Sequence, residues 1–234
     1  MSSIKSMVQA TLALTALAVS SAGFAKSATE AAGQVQSFSD PREWNFEVFL
    51  DDKSIGFHNF RLEPKEDGYQ LQTEAEFEVD FLFFTAYRYE HENTEIWEDG
   101  CLKRIEARTL DNGDEYRVVG QREQGEFDLD AAGKSSADGS LESDCVRTFA
   151  YWDRDKLQDN RLLNAQTGEY VDVDLKPAGQ ETIRIGERDI QADRYTIVSE
   201  DLDLELWYSP DGKWLKLTST VENGRQLRYQ LEGS

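Results

Sequence analysis

The chain has 234 residues, with 46 Asp and Glu against 25 Lys and Arg, for a formal net charge of −21. Charge of that sign and size excludes electrostatic recognition of nucleic acid or of an anionic membrane surface, and it favours solubility. With 39% hydrophobic residues and two cysteines, there is material for one sizeable core and at most one internal disulfide.

The first 25 residues read as a separable unit. Lys5 gives a positive start, residues 7–19 are apolar and Ala-rich, and small residues follow up to Ala25. That is the layout of a secretory signal peptide cut after Ala25, with an uncleaved anchor or a disordered tail as the alternatives, and its apolar run is too short to form a spanning helix. No cysteine follows to carry a lipid anchor, and no other segment is apolar for long enough to form a spanning helix. The expected location is therefore periplasmic or secreted. Residues 26–40, rich in Ala, Ser, Gly and Gln, read as a flexible lead-in, leaving 41–234 as a single domain.

Trp44, Phe46, Val48 and Leu50 alternate with polar residues and predict a first strand; a turn at 51–54 leads into a second over 55–63. Residues 69–81 carry the plainest pattern in the chain. Tyr69, Leu71, Thr73, Ala75, Phe77, Val79 and Phe81 share one face, while Gln70, Gln72, Glu74, Glu76, Glu78 and Asp80 share the other. A period of two over that length means a long strand with one buried and one wet face, as in an antiparallel sheet. Residues 81–87 (FLFFTAY) break the alternation with apolar groups on both faces. They form either a bent corner packed into the core, the rim of a ligand cavity or a patch that docks a partner.

Residues 87–97 put Tyr87, Tyr89, His91, Asn93, Glu95 and Trp97 on one face. Rings mixed with His, Asn and Glu suit a cavity wall with a few placed polar groups. They suit a solvent-exposed end of a sheet equally, and that is the reading preferred for this strand. Further strands are expected at 102–109, 115–122 and 126–129, then a mobile Gly/Ser/Asp loop over 131–144. Asp153 is placed to cap one or two helical turns up to Asn160, with Leu157, Leu162 and Leu163 seating them on the sheet. Strands at 170–176, 182–185 and 189–198 follow, punctuated by Pro177-Ala178-Gly179 and Gly186. In 201–208 Leu202, Leu204, Leu206 and Tyr208 alternate with Asp201, Asp203, Glu205 and Trp207, the leucines pointing to the core and the acids to water; 214–221 and 225–231 end the chain, with Leu227, Tyr229 and Leu231 turned inward.

One arrangement occurs twice: Trp97, Asp99-Gly100, Leu102, Asn112-Gly113, and later Trp207, Asp211-Gly212, Leu215, Asn223-Gly224. Asp-Gly and Asn-Gly supply the positive φ angles of tight hairpins, so each copy is a three-stranded meander. The sum is an all-β domain of eleven or twelve strands with one short helix. Its antiparallel meander must curl into a barrel, half-barrel or β-roll to hide its apolar face. In an oxidising compartment Cys101 and Cys145 are most simply a disulfide, with two separate thiols as the alternative.

Five stretches together carry a resemblance. They are the turn at Gly56, Asp67-Gly68-Tyr69, the run Y-x-H-x-N-x-E-x-W-x-D-G-x-L over 89–102, I-x-A-x-R-Y over 190–195, and WYSPDGKWLKL over 207–217. In these the chain resembles a bacterial family of exported proteins of unknown function, across nearly all of its mature length. The resemblance implies a curled antiparallel roll or barrel and carries no catalytic residues with it. A looser architectural similarity is to the periplasmic half-barrels that carry lipids or lipoproteins.

Motifs for chemistry are scarce. The sequence has no G-x-S-x-G, H-E-x-x-H, C-x-x-C, Walker loop, G-x-G-x-x-G or EF-hand loop, so no metal or cofactor is expected. His58, mid-strand beside Phe57 and Phe60, reads as structural or surface. His91 and Glu95 share a face, but strand rise sets them roughly 13 Å apart, so Asn93 or an acid from a neighbouring strand would have to orient His91. Three functions follow in order: a non-enzymatic protein binding an apolar small molecule or lipid on the concave side, a protein-interaction module docking through 81–87, and a hydrolase using His91. The expected lining is Phe77, Phe81, Phe83, Phe84, Tyr87, Tyr89, His91 and Trp97.

Overall fold

The computed structural model describes residues 40–81, 84–133, 139–141, 145–200, 202–221 and 224–232. The expected signal peptide (1–25) and the lead-in up to residue 39 lie outside the described residues, as do the side chains of Phe81, Phe83 and Phe84 and, of the loop expected over 131–144, residues 134–138 and 142–144.

Alternation of apolar and polar residues becomes strand after strand. They are β1 (Arg42–Leu50), β2 (Lys53–Lys65), β3 (Gly68–Phe81), β4 (Phe84–Glu98), β5 (Cys101–Asp111), β6 (Asp114–Glu123), β7 (Glu126–Ala132) and β8 (Gly139–Leu141). After a 3-10 turn at Arg154–Gln158 come β9 (Arg161–Leu163), β10 (Tyr170–Asp172), β11 (Asp174–Ile185), β12 (Arg188–Val198), β13 (Asp203–Tyr208), β14 (Trp214–Thr220) and β15 (Gln226–Leu231). Thirteen of these form one sheet in the order β11-β12-β13-β14-β15-β1-β2-β3-β4-β5-β6-β7-β8, while β9 and β10 pair separately. Two sequential meanders are thus joined where β15 meets β1, with Phe46 opposite Leu231 and Val48 opposite Tyr229. The outermost strands, β8 and β11, do not pair with each other. The sheet is open: a half-barrel.

Local sequence explains the hairpins. Asp99 and Gly100 have φ of 53° and 76°, and Asn112 and Gly113 have 49° and 94°, the left-handed pairs that match the strands' own twist. Gly56, at φ 144°, meets a different demand. A Cβ there would sit 1.8 Å from the Glu76 carbonyl oxygen, so β2 can lie against β3 only without a side chain at that position.

On β3 the face from Tyr69 to Phe77 is buried and Glu74, Glu76 and Glu78 are exposed, as the alternation requires. The concave side is covered from within by the connection between the two meanders, residues 145–173. The Cys101–Cys145 disulfide ties its start to β5, and the chain-entropy account gives such a loop about 4 kcal/mol. The Leu102 amide then donates to the Val146 carbonyl. Asp153 caps the 3-10 turn by accepting from the Asp155 amide. Leu157, Leu162 and Leu163 are fully buried. Trp152 packs edge-on to Trp97 at 5.7 Å and to Tyr69 at 6.1 Å.

Several expectations are corrected. The face of β4 is not an exposed sheet end: His91 and Asn93 are each 6% exposed and Glu95 2%, because the 145–173 connection closes over them. Pro177-Ala178-Gly179 does not stop a strand. β11 runs through it on a bulge, since an edge strand can spare the proline's missing N–H. Residues 161–163 and 170–172 form the small β9–β10 pair and 139–141 pair with β7, so the described residues hold fifteen strands where eleven or twelve were expected. Trp207 is only 3% exposed although it shares the acids' face. Lys216 lies over its ring at 4.2 Å and its indole N–H donates to Glu181.

Candidate functional site

Strand register lays the inner face out in rows. One row crosses β1 to β5 as Trp44, Phe60, Thr73, Asn93 and Ala107, and the next as Phe46, His58, Ala75, His91 and Thr109. On β3, between large neighbours, these rows hold Thr73 and Ala75. Ala75 lets the imidazoles of His58 and His91 approach to 6.5 Å, and Thr73 leaves a hollow between Phe60 and Asn93. Over that hollow lie Thr148, Phe149 and Tyr151 and the 164–172 stretch of the connection, with Tyr229 of β15 at the side. The result is a cavity of about 890 Å³ on the concave side, within the size range of small-molecule sites.

Its deep wall is polar and tightly organised. The Glu95 carboxylate accepts from the Asn93 amide at 2.9 Å, the Trp97 indole at 2.8 Å and the Thr148 hydroxyl at 3.1 Å. Burial raises its pKa above the usual carboxylate value, and those three bonds pull the other way. His91 Nδ1 shares a hydrogen bond with Thr109 Oγ1 at 2.8 Å, and burial lowers its pKa to about 4. His58 Nδ1 lies 3.2 Å from the Tyr229 hydroxyl. Burial, and then the neighbouring His91, hold His58 well below its ordinary value, so both imidazoles are neutral at pH 7. Nearer the mouth, the Tyr89 hydroxyl donates to Gln166, whose amide donates in turn to Asp111. Four buried polar atoms of cavity-lining residues have no partner: His58 Nε2, Asn93 Oδ1, the Tyr170 hydroxyl and Ser199 Oγ. Buried polar atoms left unpaired cost about 1–3 kcal/mol each, so the four together are unusual.

Of the eight lining residues expected from sequence, Tyr89 and His91 line this cavity. Phe77 stands behind, stacked on Tyr89 at 5.1 Å, and Trp97 is buried beneath, holding Glu95. Tyr87 is half-buried beside Asp111. The side chains of Phe81, Phe83 and Phe84 lie outside the described residues. Asn93 turns to Glu95 rather than orienting His91. His58, Thr73, Tyr151, Gln166 and Tyr229 are cavity residues that sequence reasoning did not place there. Parity along β2, β3 and β4 could have aligned His58 with His91 once their registers were known.

Fold and site together define an open antiparallel half-barrel whose concave side holds a partly polar, aromatic-walled cavity under an internal connection. The family can now be stated: residues 46–232 match the domain of unknown function DUF6134, and the chain belongs to that family. Among solved structures it is similar to a beta-barrel-like protein of the domain of unknown function DUF1849 from Brucella abortus. The TM-score is 0.56 at 14% identity, covering 82% of this chain and 94% of that one. That likeness is one of fold. None of the curated proteins matches the chain.

Proposed function

We propose that this chain is an exported, non-enzymatic binding protein that takes an apolar small molecule or a lipid chain into the concave cavity. The observation that carries this reading is the cavity of about 890 Å³, which a sheet built to bury its own face would have filled. Phe60, Leu71, Phe149, Val171 and Leu202 offer apolar wall, and Tyr89, Tyr151 and Tyr229 offer rings with a polar tip. The N-terminal signal-peptide pattern and the Cys101–Cys145 bond support a periplasmic or secreted location.

The test is uptake of a neutral hydrophobic dye by delipidated protein, read as fluorescence enhancement saturating at one dye per chain. Thr73→Phe fills the floor of the cavity and abolishes uptake while the thermal transition is retained. Wild-type protein that takes up no dye overturns the proposal, as does a Thr73→Phe variant that binds dye unchanged.

A further inference from the structure

The unpaired atoms at the deep end say more about the ligand than the apolar wall does. Asn93 is locked by geometry: its amide nitrogen donates to Glu95 Oε1, which turns Oδ1 away from the carboxylate as a fixed acceptor with no partner. Glu95 cannot release it, because both carboxylate oxygens are engaged, one by Asn93 and the other by Trp97 and Thr148. One row away, His58 is held by Tyr229 at Nδ1 and by stacking on Phe60 at 4.2 Å, and its Nε2 is buried and unpaired. That nitrogen donates in one neutral tautomer and accepts in the other. The deep wall therefore holds one obligate acceptor and one group of either role, both buried and unpaired, with no cationic side chain there among the described residues that line it.

The field at the entrance points the same way. Glu169, Asp172 and Glu200 line the cavity, with Arg161 the one cation among the described residues that line it, and Arg161 is drawn towards Asp172 at 3.8 Å and over the Tyr170 ring at 5.0 Å. Behind them stands a chain of net charge −21. An anionic head would cross a repulsive mouth and end beside Glu95, where nothing positive compensates its lost hydration.

We propose that the ligand is an uncharged amphiphile whose buried head is a hydroxyl that donates to Asn93 Oδ1, with His58 Nε2 a second hydrogen-bonding group on the same wall, and that fatty-acid anions are rejected. This rests on the binding function proposed above and names the class of ligand for the same cavity. A hydroxyl suits both groups because it donates and accepts, whereas a carboxylate offers acceptors alone and leaves Asn93 unsatisfied.

The experiment is competition against the neutral dye by 1-decanol and by decanoate at pH 8, where the acid is fully ionised. The expected result is a decanol affinity at least tenfold tighter than that of decanoate. Asn93→Leu lowers decanol affinity about tenfold and leaves decanoate unchanged. If Asn93→Leu does not fold, because Glu95 has lost a donor, His58→Phe keeps a flat ring against Phe60 and is expected to lower decanol affinity in the same way. Decanoate binding as tightly as decanol overturns the inference, as does full decanol affinity in a folded variant. A wild-type protein that binds the dye but shows no preference for the alcohol overturns this inference alone; one that takes up no dye removes the binding function beneath it.

Discussion

Two regions of the half-barrel, one at the Tyr69–Trp97 end of its strands and one near their middle at Thr73 and His91, are made by the same strands and differ in what those strands point inward. In the first, Tyr69, Trp97 and Leu102 stand in register across β3, β4 and β5, and Trp152 from the connection completes the packing. In the second, the same strands offer Thr73, Asn93, Ala75 and His91, and the connection arches over them with tyrosine, asparagine and glutamine. The first is a solved packing problem and the second a hollow with unmade hydrogen bonds. Glu95 is the hinge between them: it takes the Trp97 indole from the packed region and the Asn93 amide from the hollow one. A protein selected for stability alone would have filled both regions. Polar groups kept at the cost of packing mark the region where function is to be sought.

That contrast can be broken by substitution. The largest expected effect is Trp97→Ala, which leaves a void under Trp152 and takes a donor from Glu95. A loss of about 3–5 kcal/mol is expected, read by urea denaturation. Replacing both Cys101 and Cys145 with Ser frees the start of the connection and is expected to cost about 4 kcal/mol on the same measurement. Dye uptake is lost as well if the connection is what roofs the cavity.

Acid separates the two regions by a different route. His91 falls from an unfolded value of 6.5 to about 4 in the folded chain, and His58 is shifted in the same direction. Between those pH values the unfolded chain binds protons that the native state refuses, so stability is intact above pH 6.5 and is lost as pH falls towards 4. The His91 share is roughly 3 kcal/mol at most. Glu95 works oppositely: its folded pKa is raised, so its contribution weakens as pH rises above its unfolded value. Denaturation midpoints at pH 7 and pH 4.5 measure the net slope, and His91→Gln should flatten it. A slope unchanged in that variant would place the acid sensitivity elsewhere.

Smaller changes sharpen the comparison. Gly120→Ala, in the row of Leu71, Glu95 and Ile105, would put a methyl 2.5 Å from the Phe127 ring and is expected to cost about 1–3 kcal/mol. Tyr170→Phe, in the hollow region, removes a buried hydroxyl that has no partner. It is expected to leave stability unchanged or raise it slightly, by less than about 1 kcal/mol. Equal losses from the two would mean the hollow region is as tightly packed as the other.

Much of the architecture was legible because strand alternation and hairpin chemistry are local. The thirteen-residue alternation of 69–81, the paired Asp-Gly and Asn-Gly turns and the even cysteine count led to an antiparallel meander, its curl and its disulfide. Part of the site was legible too: the face of Tyr89, His91 and Asn93 is the cavity's deep wall. Local pattern could not tell whether that face met water or protein, because the answer depends on residues 145–173, which are remote in sequence and lack a period of their own.

Parity along a strand, which one sequence suffices to read, determined which side chains share a face. Tertiary structure alone decided that β15 docks on β1, that β8 and β11 stay apart, and that the connection between the meanders folds inward to leave a cavity over Thr73. The reason is physical. A period of two is set by the backbone of each residue, while register and coverage are set by which distant surfaces exclude water together.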